Sequence, residues 1–496
     1  MKLVNNQFIN YNMQQLFLNF YLGLSVLFRI FAAIIPTYKS YMNHMTAMKK
    51  TLRLWMLLVV TLNIVSCTDL NDNPVVYGPL NEVLAENELF SDIKENPDTS
   101  AMKKKEKGEL EYLSQYSMFI QQPVNHDQPD GDKFKQKVCI LFRGYDRPTI
   151  MVTEGYLWRR FFDAEDIGKN LNANMVHVEH RNFGESFNQD KGKWAYETSA
   201  QASADLHAVY RALKPIFKGK WMSAGTSKNG ETSMDYAYYY PNDMDLAAAF
   251  CSPFNLSLAD KRFGEYLFNK VSTEELRDIM KKNMSKALEK GEDGLYKNAC
   301  TFFKEKDLPV PSFAEYVFNC FDTFFSVFQY TLPSKHQEQM EAITENEDKL
   351  VDAICTNITS LRSPDTYTYF VDCAKEQGFS DDGYDYFADE LEGTGFKAED
   401  AITSLLKEED RWLVKQYDNS LRTKMCEDFF VNSTMPLLLF YSKDDPWSAG
   451  QPEKTGSKVK KVINPVGIHS PIINNPEYCP VEVKEEVMDF ISSYIY

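Results

Sequence analysis

The sequence predicts an α/β fold in which a mainly helical segment is inserted between two halves of a sheet domain. Three observations carry the prediction. First, the apolar run Trp221-Met222-Ser223-Ala224 breaks into Gly225-Thr226-Ser227-Lys228-Asn229-Gly230, and a helix-like stretch follows from Glu231 to Tyr238. Strand, tight small-residue turn and helix is the geometry that holds a serine in a strained, exposed position between the two elements. The usual spacing is G-x-S-x-G; here Asn229 stands where the second glycine is expected, and asparagine tolerates unusual backbone angles better than most residues. Second, Met435 to Ser442 reads as a buried strand that runs into Lys443-Asp444-Asp445-Pro446-Trp447-Ser448. Third, the 256–433 stretch between them loses strand-like alternation and takes helical spacing.

Each element follows from its own residues. Pro148 to Tyr156 reads as a core strand ending at Gly155, and Asn174 to Ser186 as the next strand and its loop. In the inserted segment, Ser272-Thr273-Glu274-Glu275 is a capping box opening a run through Leu276, Ile279, Met280 and Met284 that stops near Gly291. Ser312 with Glu315 repeats that signature ahead of Phe313, Tyr316, Val317, Cys320, Phe321, Phe324 and Phe328, a stripe expected to be core. Ala401 to Tyr417 also has helical period. Val462 to Asn464 is a short strand, and Val481 to Tyr496 a closing helix. Tyr236, Tyr238, Tyr239 and Tyr240 read as packing behind the Ser227 turn.

A serine so placed needs a base and an acid, which in this kind of sheet follow it in the order Ser, Asp/Glu, His. Of seven histidines, only His469 lies beyond the 435–448 strand and turn, so the order selects it as base. Asp445 is preferred to Asp444 as the acid, because the Pro446 ring fixes the turn directly after it; both could instead cap a helix start. The oxyanion donors would be the backbone N–H of Lys228 and that of Tyr156. His177 and His180 with Glu179 between them suggest a zinc site, but on a strand His177 and His180 face opposite ways and the helical HExxH spacing is missing. No metal and no cofactor is expected.

These blocks together resemble a family. Thr153-Glu154-Gly155-Tyr156, Glu179-His180-Arg181-Asn182-Phe183-Gly184-Glu185-Ser186, Gly225-Thr226-Ser227-Lys228, Asp445-Pro446-Trp447-Ser448 and the late His469 look like the secreted bacterial tripeptidyl aminopeptidases of serine peptidase family thirty-seven. The second and fourth blocks are also similar to the lysosomal prolyl carboxypeptidase and dipeptidyl peptidase group. The resemblance covers roughly residues 110–496. It implies an α/β-hydrolase core with Ser227 as nucleophile, Asp445 as acid and His469 as base, and exopeptidase action on peptide N-termini. Such an enzyme must hold an α-ammonium group, and Glu154 or Glu179 is the candidate partner. Glu154 is favoured, with Gly155 letting the backbone approach the peptide; alternatively Glu154 pairs with Arg143, Arg147 or Arg181 to order the loop.

Two other functions stay open: a carboxylesterase or lipase using the same triad, and a non-catalytic peptide-binding surface lipoprotein. A net charge of −17 argues against a nucleic-acid partner. Met48-Lys49-Lys50, the apolar Leu54–Ile64 run and Ile64-Val65-Ser66-Cys67 resemble a bacterial lipoprotein signal with Cys67 lipidated; an ordinary signal anchor is the alternative. The membrane would then be a partner only through that lipid, placing the protein in the cell envelope. Residues 1–47 read as a gene-model extension, although the Leu16–Ile35 stretch is also long enough for a membrane helix. The expected organisation is signal peptide 48–67, tether and lead-in 68–110, first core part 111–255, helical cap 256–433 and second core part 434–496. The eight remaining cysteines could be bridged in an exported protein or remain buried thiols.

Overall fold

The computed structural model describes residues 78–95, 114–157, 164–187 and 194–496. Cys67, the signal-like segment and the first apolar stretch lie outside the described residues. The described strands are β1 (Phe90–Glu95), β2 (Ser114–Pro123), β3 (Lys133–Phe142), β4 (Thr149–Thr153), β5 (Asn174–Val178), β6 (Trp221–Thr226), β7 (Leu246–Phe250), β8 (Ala259–Asp260), β9 (Phe379–Ser380), β10 (Leu437–Ser442) and β11 (Val459–Asn464). Nine of them form one sheet in the order β1-β2-β3-β5-β4-β6-β7-β10-β11. The first three are antiparallel to their neighbours, whereas β5, β4, β6, β7, β10 and β11 run parallel.

The parallel strands are buried on both sides, so their sequences read as continuous apolar runs. Alternation still sorts them. Met151, Ala247, Ala249, Leu437, Leu439 and Tyr441 pack on one face, with residues of the Ser199–Leu213 and Lys228–Tyr239 helices. Ile150, Val152, Leu246, Ala248, Leu438 and Phe440 pack on the other, with Val483, Val487 and Ile491 of the Val481–Ile495 helix. Helices therefore cover both faces, and chemistry is left to the carboxyl ends of the parallel strands. This is the α/β-hydrolase arrangement.

Between β7 and β10 the chain is helical except for the short β8–β9 pair. That segment has its own core, in which Tyr316, Val317, Cys320, Phe321, Phe324 and Phe328 are buried. The aromatic stripe thus packs inside the insertion, as its spacing predicts. Ser312 caps the Phe313–Tyr330 helix, its hydroxyl accepting from Glu315 N at 3.1 Å, and Thr273 does the same for the Glu274–Leu288 helix.

Two readings change, and one left open is resolved. The 80–95 stretch, read as lead-in, supplies the Leu80–Ala85 helix and the edge strand β1, with Leu80, Leu84 and Phe90 buried. The helix expected over 401–417 stops at Ser404. Lys407 then takes an extended φ of −60° and ψ of 149°, and Glu408–Gln416 continues as a tighter 3₁₀ helix. The eight described cysteines are all free thiols, six of them buried.

Candidate active site

Ser227 leaves β6 with φ 59° and ψ −130°, a conformation that costs a non-glycine residue about 1–3 kcal/mol. Its surroundings hold it there. The Ser227 N–H donates to Phe250 O at 2.8 Å, tying the turn to the end of β7, while its carbonyl accepts from Gly230 N and Glu231 N. Gly225 and Gly230 are there for space: a Cβ on Gly225 would run into the Asn229 carbonyl, and one on Gly230 into the Ser252 hydroxyl.

His469 and Asp445 come together from the far side of the sheet. Asp445, fully buried after β10, accepts from His469 Nδ1 at 2.7 Å and from Trp447 N at 3.1 Å. Asp444 turns away to accept from Ser272 N at 3.0 Å. The loop bearing His469 is fixed from two directions. Ser442 Oγ donates to Ile468 O at 2.7 Å, and the His469 N–H donates to Gln329 O at 2.9 Å, at the end of the long insertion helix. His469 Nε2 is buried and has no hydrogen-bond partner among the described residues.

Ser227 and His469 line the same cavity, of about 410 Å³, within the usual range for small-ligand pockets. The sheet contributes Glu154, Tyr156, Ser227, Asn229, Trp447 and His469 to its wall; the insertion contributes Phe318, Asp322, Tyr330, Tyr369, Phe370 and Phe379 among others. The face of the Phe313–Tyr330 helix that meets the cavity is thus not the stripe legible in the sequence.

Asn229 is not in an unusual backbone conformation. It lies in the first turn of the Lys228–Tyr239 helix, and its side chain works instead. Asn229 Oδ1 accepts from Gly155 N at 2.6 Å, and Nδ2 donates to Glu154 Oε2 at 3.0 Å. Thr153 Oγ1 donates to the Asn229 carbonyl at 2.8 Å. The residue replacing the expected glycine therefore stitches the elbow to the neighbouring 153–156 loop. Lys228 does the same through its side chain: buried Nζ donates to Gly155 O at 2.6 Å and pairs with Asp372 at 3.0 Å. A side chain at Gly155 cannot fit, since its Cβ would stand 2.7 Å from Lys228 Cγ and 2.9 Å from Asn229 N.

The Lys228 amide sits in the first helical turn, where N–H groups have no intrahelical acceptor. Tyr156, whose amide the sequence offers as a donor, lines the cavity, and its side chain also lies by Ser227. Its phenol is held well above the ordinary tyrosine pKa by burial, then by nearby Cys373, Glu231 and Tyr330, and a hydrogen bond involving the Ser227 side chain pulls the other way. A neutral phenol beside Ser227 is able to donate a hydrogen bond.

The two glutamates separate. Glu154 lines the cavity, but Oε1 is engaged by His177 Nδ1 at 2.9 Å and Oε2 by Asn229, and none of the three arginines considered is its partner in these contacts. Arg181 instead pairs with Asp205. Glu179 is corrected: its Oε2 accepts from Ser186 N and Oγ at 2.8 and 2.7 Å, it orders the 180–186 loop, and it does not line the cavity. His180 faces Arg181 O and Glu197, away from His177, so the two imidazoles do not converge. Among the described residues, donor atoms of Cys251, Asp445 and His469 lie within 4.8 Å of one another, a closeness that the Asp445–His469 hydrogen bond already accounts for in part.

Known proteins are similar to this chain. The chain is 24% identical over 357 residues to the prolyl tri/tetrapeptidyl aminopeptidase of Streptomyces mobaraensis, covering 68% of this chain and 71% of that one. Among solved structures, a proline iminopeptidase of Mycobacterium smegmatis aligns with 12% identity and a TM-score of 0.40, over 76% of this chain and 98% of its own. An alpha/beta fold family hydrolase of Bacillus anthracis str. Sterne aligns with 12% identity and a TM-score of 0.33, over 76% and 98%. Residues 92–338 match the family model described as PS-10 peptidase S37, a span that includes the Ser227 elbow and stops short of Asp445 and His469. Over that span the chain is similar to the S37 peptidase family.

Proposed function

We propose that the protein is an exported serine aminopeptidase that releases short, tripeptide-length units from peptide N-termini through an acyl-enzyme. The observation that carries this reading is the pairing of His469 Nδ1 with buried Asp445, which leaves Nε2 unpartnered on the wall of the cavity that Ser227 also lines. Ser227 Oγ attacks the scissile carbonyl carbon as His469 Nε2 takes its proton. The Lys228 amide and Tyr156 donate to the oxyanion. Collapse of the tetrahedral species breaks the C–N bond, and the leaving amine takes the proton from His469. Water then attacks the acyl-enzyme with His469 again as base, freeing the peptide acid and Ser227. Asp445 holds the imidazole in the tautomer with Nδ1 protonated.

The aromatic wall of Phe318, Tyr369, Phe370, Phe379 and Trp447 suits an apolar ring at the residue before the scissile bond, and the prolyl specificity in the name of the Streptomyces relative points the same way. Export rests on the Met48–Cys67 pattern.

Three outcomes test this reading. Ser227→Ala should lower turnover of a proline-ending tripeptidyl reporter by at least about 10³-fold with the thermal midpoint unchanged, and the wild type should prefer that reporter to short acyl esters. A reversed preference would identify an esterase instead. Asn229→Gly restores the common spacing but leaves the Gly155 N–H without its acceptor, so kcat should fall at least tenfold and stability by about 1–3 kcal/mol; an unchanged kcat would remove Asn229 from the support of the site. Cells expressing the full chain should hold it in the membrane fraction, and Cys67→Ala should release it or leave it unprocessed; wild type found wholly soluble in the cytosol would defeat the lipid anchor.

A further inference from the structure

Asp322 is an acid in the cavity wall with no cation beside it among the described residues. Of the described residues lining the cavity, Glu154 and Asp322 are the only carboxylates, and none is lysine or arginine. Glu154 is engaged at both oxygens by His177 and Asn229. Asp322, half-buried, receives one hydrogen bond, from Asn357 Nδ2 at 2.7 Å, and pairs with no Lys, Arg or His among the described residues. Asn357 is itself held by Asn319 Oδ1 at 3.0 Å, so the amide that orients the carboxylate is fixed. A carboxylate in a partly dry site is costly without a counter-charge, and the missing cation is the natural contribution of a ligand.

We infer that Asp322 binds the substrate's α-ammonium group, and that its place on the Phe313–Tyr330 helix sets the length of the peptide released. This rests on the aminopeptidase reading above and names the subsite that the sequence assigned to Glu154.

The helix provides the ruler. Gln329, whose carbonyl accepts the backbone N–H of His469, lies seven residues after Asp322 on that same helix. At a rise of 1.5 Å per residue the two are about 10 Å apart along its axis. An extended peptide advances about 3.3 Å per residue, so three residues span the same ~10 Å. An ammonium at Asp322 therefore places the third peptide carbonyl near the reacting groups, while one or two residues fall short. Ser326 and Tyr330 lie one and two turns beyond Asp322 on the same face and also line the cavity, giving the intervening peptide a wall to follow. Burial pushes the Asp322 pKa up to about 6, the Asn357 bond pulling against it, so the group is mostly ionised at neutral pH and becomes more so with an ammonium beside it.

The test is equilibrium binding to the full chain carrying Ser227→Ala, so that no turnover is needed. Calorimetry compares a proline-ending tripeptide amide with a free N-terminus against its N-acetylated form. The free-amine form should bind at least roughly tenfold more tightly, as expected of a charge-assisted contact. Adding Asp322→Asn, which keeps size and the Asn357 contact, should erase that preference by weakening the free-amine form alone; Asp322→Ser provides the same comparison if Asp322→Asn does not fold. A dipeptide amide should show a smaller preference than the tripeptide. A preference that survives both Asp322 variants overturns the assignment, as does the lack of any preference in Ser227→Ala. Should wild type bind with this preference yet fail to cleave peptides, the activity reading falls and the ammonium subsite stands.

Discussion

The site depends on a backbone conformation that Ser227 would not choose for itself. At φ 59° and ψ −130° the residue is held by a hydrogen bond to the end of β7 and by two glycines that let β6 and the following helix approach closely. The strain, of the order of 1–3 kcal/mol, persists because the buried parallel sheet over-determines the turn. The same sheet then delivers the remaining parts. The ends of β4, β10 and β11 bring Gly155, Asp445 and His469 to the Ser227 elbow, although they are far apart in the chain.

The insertion takes part in that arrangement. Its longest helix lends a carbonyl to the His469 backbone, and Asp372, the last residue of the Pro364–Asp372 helix, pairs with Lys228. Both contacts join the helical segment to residues flanking the reacting groups. Movement of this segment would change the cavity and the support of His469 and Lys228 together. On the other side of the elbow helix, Arg422 forms buried ion pairs with Glu231 and Asp235, fastening the helix that follows Ser227 to the end of the insertion.

Much of this was legible in the sequence where a signal is local. The elbow is a contiguous block, the capping serine and threonine sit a turn from the amides that donate to them, and the order of Ser227, Asp445 and His469 needs no geometry. What could not be read is carried by contacts across the fold. Asn229 looked like a weakened glycine position because its partners, Gly155 and Glu154, lie more than seventy residues earlier. Lys228 was read for its amide alone, because its side-chain partners Gly155 and Asp372 are distant in the chain. Asp322 lies among the aromatic residues of a helix whose obvious stripe packs inward, so its exposure to the cavity appears only once the insertion is placed. β1 to β3 escaped notice because lysines and glutamines interrupt apolar positions that alternate correctly, as in Lys133 to Phe142. Glu179 was misassigned because strand period gives a side chain's face but not its partner, and Ser186 had already taken the carboxylate.

The central claim is that one strained serine is the nucleophile, activated by His469 and Asp445. The most direct measurement is to treat the purified wild-type chain with a fluorophosphonate, digest it and locate the adduct by mass spectrometry. The account predicts stoichiometric phosphonylation of Ser227 Oγ and of no other residue. A chain that stays unlabelled, or one labelled on another cavity hydroxyl such as Ser326 or Tyr330, would contradict it.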